Sequence, residues 1–428
     1  MKLSMASLRI LLFIPFLLCA SLFGGELSLA ELIDIALKNN PETQKVWANV
    51  KRAQAAVGVA QSSLYPHVEG QGSVNHAREV KFPNGSSTTF TSGGGELNLN
   101  YLLLDFGERS SAIQATKEAL QSAKWWADFS IQKIMSEVAS NYYEYLNASE
   151  LLEMRKCSLQ DANTILEAAE EMCKAGLRVE GDLITAQAAV AEIHMYLAQE
   201  RAAFAIAYGK LMNALGLPME TQLQVKTRPE GIELPIFSEG IESLIAIAEE
   251  KRKDLLAKQA SYAEMQEHVS RAKKAPLPKL RAMGQAGWFQ YSKHQGSSSN
   301  YNAGIALDIP IFKGFQYSYE TRQALANAEM TAAELKDLHN AIALEVLTYS
   351  ELVKASREAL KFSELFLDQA FKSYEGSLER YKAGLLSIFD SLQAQRYLAE
   401  ARSKKAQART QWLMALAQLA YATGSLSS

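Results

Sequence analysis

Cysteine is nearly missing from this chain, with three in 428 residues. That excludes a disulfide-stapled scaffold. Cys19 lies in the N-terminal segment, so only Cys157 and Cys173 fall within the body. If their segment is one helix, sixteen residues hold them roughly 24 Å apart, too far to pair within it; they read as small buried or half-buried residues. Neither charge sign dominates: 44 Lys and Arg stand against 47 Asp and Glu, a net charge of −3. No basic cluster stands beside exposed aromatics, so no nucleic-acid partner is expected. Beyond the N-terminus no run of 18 apolar residues occurs, which excludes a helical membrane protein. The six histidines (His67, His76, His194, His268, His294 and His339) lack metal-ligand spacing. Gly93-Gly94-Gly95 lacks the following Lys-Ser/Thr of a phosphate loop and reads as a hairpin turn. No nucleophile has a partner motif. The chain is expected to be no enzyme, with no metal and no cofactor.

Proline is also absent where it would interrupt helix. Residues 108–175 contain neither proline nor glycine, and 316–383 contain only Gly376. Ala, Glu, Leu, Gln and Lys dominate both runs, and these are strong helix formers. A helix of such length would be roughly 100 Å long, beyond what a globular core covers. It implies a coiled coil or a helical barrel. In 131–146 the apolar positions Ile131, Ile134, Met135, Val138, Ala139, Tyr142, Tyr143 and Leu146 step by 3, 1, 3, 1, a stripe for packing between neighbours. Recurrent alanines let such neighbours approach closely.

What is present is present twice. KAGLRVEGDLITAQ at 174–187 and KAGLLSIFDSLQAQ at 382–395 share seven of fourteen positions at a constant offset of 208. Each Ala-Gly (175–176 and 383–384) ends a long run and predicts a left-handed helix cap. A shorter helical stretch follows each, at 181–214 and 387–421. Within each half two more helical stretches come before the β-strands, 28–38 with 41–63 and 239–250 with 254–275. The connector 218–238 holds three prolines and no helix period.

Lys2 and Arg9 precede the apolar run Ile10 to Leu18, and small residues follow. This is the layout of a secretory signal peptide over 1–21, with Cys19-x-Ser21 before the cut. Leu18 is too large for the position before a lipoprotein cysteine. The expected division is then a first repeat over 22–217, the connector 218–238, and a second repeat over 239–428.

Before each long run the period becomes two. In 96–103, Leu97, Leu99, Tyr101 and Leu103 alternate with Glu96, Asn98 and Asn100; in 300–309, Tyr301, Ala303, Ile305, Leu307 and Ile309 alternate with Asn300, Asn302 and Asp308. Weaker alternation precedes them in 67–77 and 279–291. Turn-rich links over 79–95 and 293–299 join each pair. This predicts β-hairpins over 65–104 and 278–311, with strands near ten residues, the length of a membrane strand. Tyr65, Tyr101, Trp288, Tyr291 and Tyr301 are candidates for interfacial girdles. Four strands cannot close a barrel, and open sheet edges are not tolerated in lipid. Strands in a membrane therefore require several copies; three would supply twelve strands, although counting alone leaves two or four open.

The layout resembles the TolC-like outer-membrane efflux and export channels over essentially the whole chain beyond the signal. Three signals carry the resemblance: Leu103-Leu104-Asp105-Phe106-Gly107, echoed by Pro310-Ile311-Phe312-Lys313-Gly314; the turns Gly176/Asp182 and Gly384/Asp390; and Asn40-Pro41-Glu42. It implies a mainly α fold with membrane β-structure: a duplicated unit of β-hairpin plus long helical hairpin, forming a homotrimer. Twelve strands would make a barrel in the outer membrane and twelve helices a periplasmic tunnel. The implied function is the outer-membrane conduit of a tripartite efflux or type I secretion system. The implied partners are membrane lipid, a periplasmic adaptor, and an inner-membrane pump of RND, ABC or MFS type.

The resemblance also implies a site. Tyr381 and Asp390 match a gate tyrosine and a pore-ring aspartate, and Asp182 matches the aspartate of the first repeat. Both aspartates also suit a helix N-terminus, where free N–H groups favour carboxylates. Gly176, Leu177, Gly384 and Leu385 sit at the expected hairpin tips, where the family meets its adaptor. Two departures stand out. Leu386 and Gln393 replace an arginine and a second aspartate of the best-known member, implying an acidic ring of fewer charges. The competing reading is an exported coiled-coil adaptor or surface scaffold, which usually carries one helical hairpin per chain rather than two.

Overall fold

The computed structural model describes residues 26–81, 83, 85–226, 240–292 and 296–426. The expected signal peptide and most of the connector lie outside the described residues. The first half runs α1 (Leu29–Asn39), α2 (Pro41–Ser62), β1 (His67–Lys81), β2 (Ser86–Leu104), α3 (Glu108–Lys174) and α4 (Glu180–Ala214). The second runs α5 (Ile241–Lys251), α6 (Lys253–Lys274), β3 (Lys279–Tyr291), β4 (Gly296–Asp308), α7 (Gln316–Lys382) and α8 (Ile388–Ala422). Helices α3 and α7 are each 67 residues long, about 100 Å.

The duplication extends into the core. Leu32, Ala36, Ile134, Val138 and Ala214 are buried together where α1, α3 and α4 meet. Leu244, Ala248, Ile342, Val346 and Ala422 occupy the equivalent places among α5, α7 and α8. The helix breaks correspond too. Asn40 caps α2, accepting from the Glu42 N–H at 2.9 Å, while its Nδ2 donates to the Ala214 carbonyl at 3.0 Å. Arg252 stands before α6 and donates through Nη1 to the Ala422 carbonyl at 3.3 Å. Each half thus clasps the end of its shorter hairpin helix with a residue at the same repeat position.

The four strands form one antiparallel sheet in the order β1-β2-β3-β4, with β2 paired to β3 across the two halves. The strands are longer than the ten residues expected, from 13 to 19. Two expected turns are strand instead. Gly93-Gly94-Gly95 pairs with β1 on one side and β3 on the other. Ser297, Ser298 and Ser299 pair with Gln290, Phe289 and Trp288. Gly94 explains the first case: a Cβ there would overlap the Trp288 carbonyl and the Phe289 ring. Glycine here permits a close backbone approach rather than a bend.

Register puts the side chains on two unlike faces. Val68, Leu99, Gly284 and Ala303 lie in one row, and Tyr101, Ala282 and Ile305 lie in another on the same face. The opposite face carries the row Glu69, Asn98, Gln285 and Asn302. On that polar face Glu96 accepts from Gln285 at 2.7 Å and from Asn98 at 3.1 Å. The apolar face stays uncovered: Val68, Leu97, Tyr301 and Ile305 are all exposed.

At the junction from β2 to α3, Phe106 and Gly107 both adopt positive φ (51° and 89°). Asp105 holds this turn. Its carboxylate accepts from the Gly107 N–H at 3.3 Å, the Arg109 N–H at 2.7 Å and Arg109 Nε at 3.1 Å. Burial pushes the Asp105 pKa up, but these hydrogen bonds and the Arg109 charge outweigh it, and the net shift is downward. A depressed folded-state pKa gives stability that is present above the unfolded value and lost as pH falls through the folded one. Asp105→Asn is expected to cost about 3 kcal/mol at pH 7, since it leaves Arg109 half-buried and unpaired. The difference from wild type should shrink below about pH 4. Denaturant unfolding in detergent at pH 7 and pH 3 checks both; a gap that does not narrow at acid pH would assign the effect to packing.

Candidate functional site at the hairpin tips

The two helical hairpins come together at the end of the molecule remote from the sheet. Each long helix ends in a Schellman cap. Leu177 N–H donates to the Met172 carbonyl at 2.9 Å and Gly176 N–H to Cys173 at 3.0 Å. Leu385 and Gly384 donate to Arg380 and Tyr381 in the same way, both at 2.9 Å. Gly176 and Gly384 have φ of 72° and 77°, which favours glycine. The caps turn the chain outward, so Leu177 and Leu385 are 70% and 79% exposed. Met172 and Tyr381 instead point inward, into a core with Ile165, Ala169, Ile388 and Leu392 that joins the hairpins.

The three predicted gate residues separate here. Tyr381 is fully buried, and its hydroxyl has no hydrogen-bond partner among the described residues. Burial raises its pKa and nearby Asp182 adds to that, against the opposing pull of Arg178. Asp182 is half-buried in the first turn of α4, with Arg178 Nε 4.0 Å away. Asp390 lies exposed in the first turn of α8, and its carboxylate accepts from the Ser387 hydroxyl at 2.6 Å. Ser387 in turn accepts from the Asp390 N–H at 3.3 Å, a reciprocal cap. Asp182 and Asp390 occupy equivalent repeat positions but unlike surroundings.

Arg178 is the residue that sequence reasoning left out of the site. Its Nη2 donates to the Leu386 carbonyl and, at 3.3 Å, to the Gly384 carbonyl. Its guanidinium carbon also lies 5.5 Å from the centre of the Tyr381 ring. Position 178 is the repeat equivalent of 386. The arginine that the resemblance places at 386 therefore stands in the other hairpin and reaches back to the Leu386 backbone. Higher up, Arg402 pairs with Asp161 at 2.5 Å and Gln395 donates to the Ser158 carbonyl at 3.2 Å, both from the second hairpin to the first.

Among the described residues, no cluster of three metal-binding side chains occurs, and no helix is long and apolar enough to cross a membrane. Cys157 and Cys173 are free thiols, each half-buried. The family model for outer membrane efflux proteins matches residues 32–217 and again 244–425, once for each half.

The chain belongs to the outer membrane efflux protein family.

Membership makes it a TolC-type protein of the outer membrane. It is 28% identical to protein CyaE of Bordetella pertussis over 406 residues, covering 92% of this chain and 84% of that protein. It is 26% identical to the outer membrane protein TolC of Vibrio cholerae, covering 94% of this chain and 91% of that one. Its fold matches the solved CmeC outer membrane channel of Campylobacter jejuni at a TM-score of 0.81 and 20% identity, over 92% of this chain and 85% of the other. The family consists of channel proteins rather than enzymes.

Proposed function

We propose that the protein is the outer-membrane channel of a tripartite efflux or type I secretion system. In this reading it forms a homotrimeric conduit that meets a periplasmic adaptor and an inner-membrane pump. The sheet carries the proposal. One face is apolar and uncovered, the other is lined by amides and carboxylates, and β1 and β4 are left as edges. Lipid tolerates no unpaired edge, so β4 of one copy pairs with β1 of the next. Three copies close twelve strands with the polar face inward. The long helices continue that wall as a tunnel, ending at the hairpin tips.

At the tips the exposed Leu177 and Leu385, presented by Gly176 and Gly384, form the adaptor contact. Threefold symmetry turns the exposed Asp390 into a ring of three carboxylates at the narrow end. Such a ring attracts cations and repels anions. Asp182 and Tyr381 act behind it, holding Arg178 and the packed hairpin core. Asp390→Asn removes the charge while its side-chain oxygen can still accept from Ser387. The expected result in planar bilayers is block by divalent cations weakened by about tenfold, with reduced cation selectivity. Unchanged block and selectivity would place Asp390 away from the constriction and leave it a helix cap only.

A further inference from the structure

The polar sheet face does not stay polar to its far end. Going away from the helices, the row positions Asn100, Asn98 and Glu96 on β2 are followed by Gly94, Ser92 and Phe90. On β3 the sequence on the same face is Gln285, Gly287, Phe289 and Tyr291. Phe289 thus sits opposite Gly94, and Tyr291 opposite Ser92. The Phe90 and Tyr291 rings meet with centroids 5.9 Å apart. The apolar face at this height also admits a polar pair, His76 and Thr91, hydrogen-bonded at 2.9 Å. Aromatics thus enter the face that lower down carries amides, while Val74, Val80 and Trp288 remain exposed on the other face. Tyr291, expected in an outer girdle, belongs to the amide-bearing face.

The wall is cleared for these rings. A Cβ on Gly94 would overlap Phe289, and one on Gly287 would come within 3.2 Å of its ring and 2.8 Å of Asn300 Oδ1. Two glycines thus leave the Phe289 ring lying against bare backbone. Glu96 is next to it, its Cβ 3.2 Å from the same point above Gly287.

We infer that Phe289, with Phe90, Tyr291 and the Glu96 carboxylate, forms a cargo subsite at the outer end of the channel that takes planar aromatic cations. The inference rests on the reading of the polar sheet face as the lumen. An aromatic face attracts a cation through its quadrupole and stacks on a flat ring, while Glu96 supplies the opposite charge. Glu96 is already oriented by Gln285 and Asn98, so it is held for a ligand rather than swinging free. An amide lining alone would give no such preference.

The test uses the full chain in planar bilayers, with ethidium added on the side of the sheet and tetraethylammonium as a non-aromatic cation of equal charge. Ethidium is expected to block in long events. Phe289→Ser should shorten them by about tenfold, the size of one good cation–π contact with stacking. Phe289→Leu, which keeps the apolar volume and protects the fold, should shorten them comparably. Glu96→Gln should weaken block further, and tetraethylammonium should respond little to either Phe289 variant. Equal ethidium dwell times in wild type and Phe289→Leu would overturn the subsite while leaving the channel intact. A wild-type protein that passes no current would overturn the channel reading and the subsite together.

Discussion

Arg178→Ala is expected to raise single-channel conductance several-fold. Arg178 lies at the tip of the first hairpin and binds two carbonyls of the second hairpin's turn, at Gly384 and Leu386. It also covers the Tyr381 ring. Any widening that separates the tips must break these contacts. Hydrogen bonds from a charged donor contribute about 1.5–3 kcal/mol each, and the ring contact adds about 0.5–2 kcal/mol. Arg178 is 22% exposed, so water takes over part of this once the tie breaks. A net loss of about 2 kcal/mol per protomer shifts each protomer's closed-to-open ratio by roughly 30-fold. Arg178→Lys keeps the charge and loses the planar fork, and should fall between the two. Conductance equal to wild type in both variants would show that the tie does not hold the tips closed.

The second large effect concerns stability midway along α7, where α8 ends. Arg252 is 6% exposed and binds Asp254 through two hydrogen bonds, at 3.0 and 2.7 Å, together with Glu345 and the Ala422 carbonyl. Burial alone would lower its pKa, but Asp254 and then Glu345 drive it upward, so it stays charged. Arg252→Met is expected to cost about 3–5 kcal/mol, because it leaves two carboxylates without a counter-charge. Adding Asp254→Leu and Glu345→Leu should recover most of that, since a buried ion network contributes little beyond an apolar replacement. Denaturant midpoints in detergent check both variants. A single-variant loss below about 1 kcal/mol would mean that water already reaches the carboxylates.

The elements legible in the sequence were those that write a period into it. The long helices show because nothing interrupts α3 or α7, and Ala-Gly marks the end of each. The strands show because one face is apolar and the other polar. Glycine carries two meanings that sequence does not separate. Gly93 to Gly95 suggested a turn, yet the close approach of Trp288 and Phe289 keeps Gly94 within a three-strand pairing. Pairing of β2 with β3 joins residues nearly two hundred apart and leaves no local trace. The site was legible as positions, not as contacts. Tyr381, Asp182 and Asp390 could be placed from the repeat, whereas the burial of one and the exposure of another follow from packing between hairpins. Arg178 had a usable signal: the arginine missing at 386 stands at its repeat equivalent. What the sequence lacked was the backbone geometry that lets a side chain from one repeat satisfy carbonyls of the other.

The central claim is that copies of this chain close a conducting barrel by joining β4 to β1. The most direct test combines the mass of the detergent-extracted protein with its current in a planar bilayer. The account predicts three chains per particle and a steady ionic conductance. A single chain, recovered without detergent and passing no current, would contradict it.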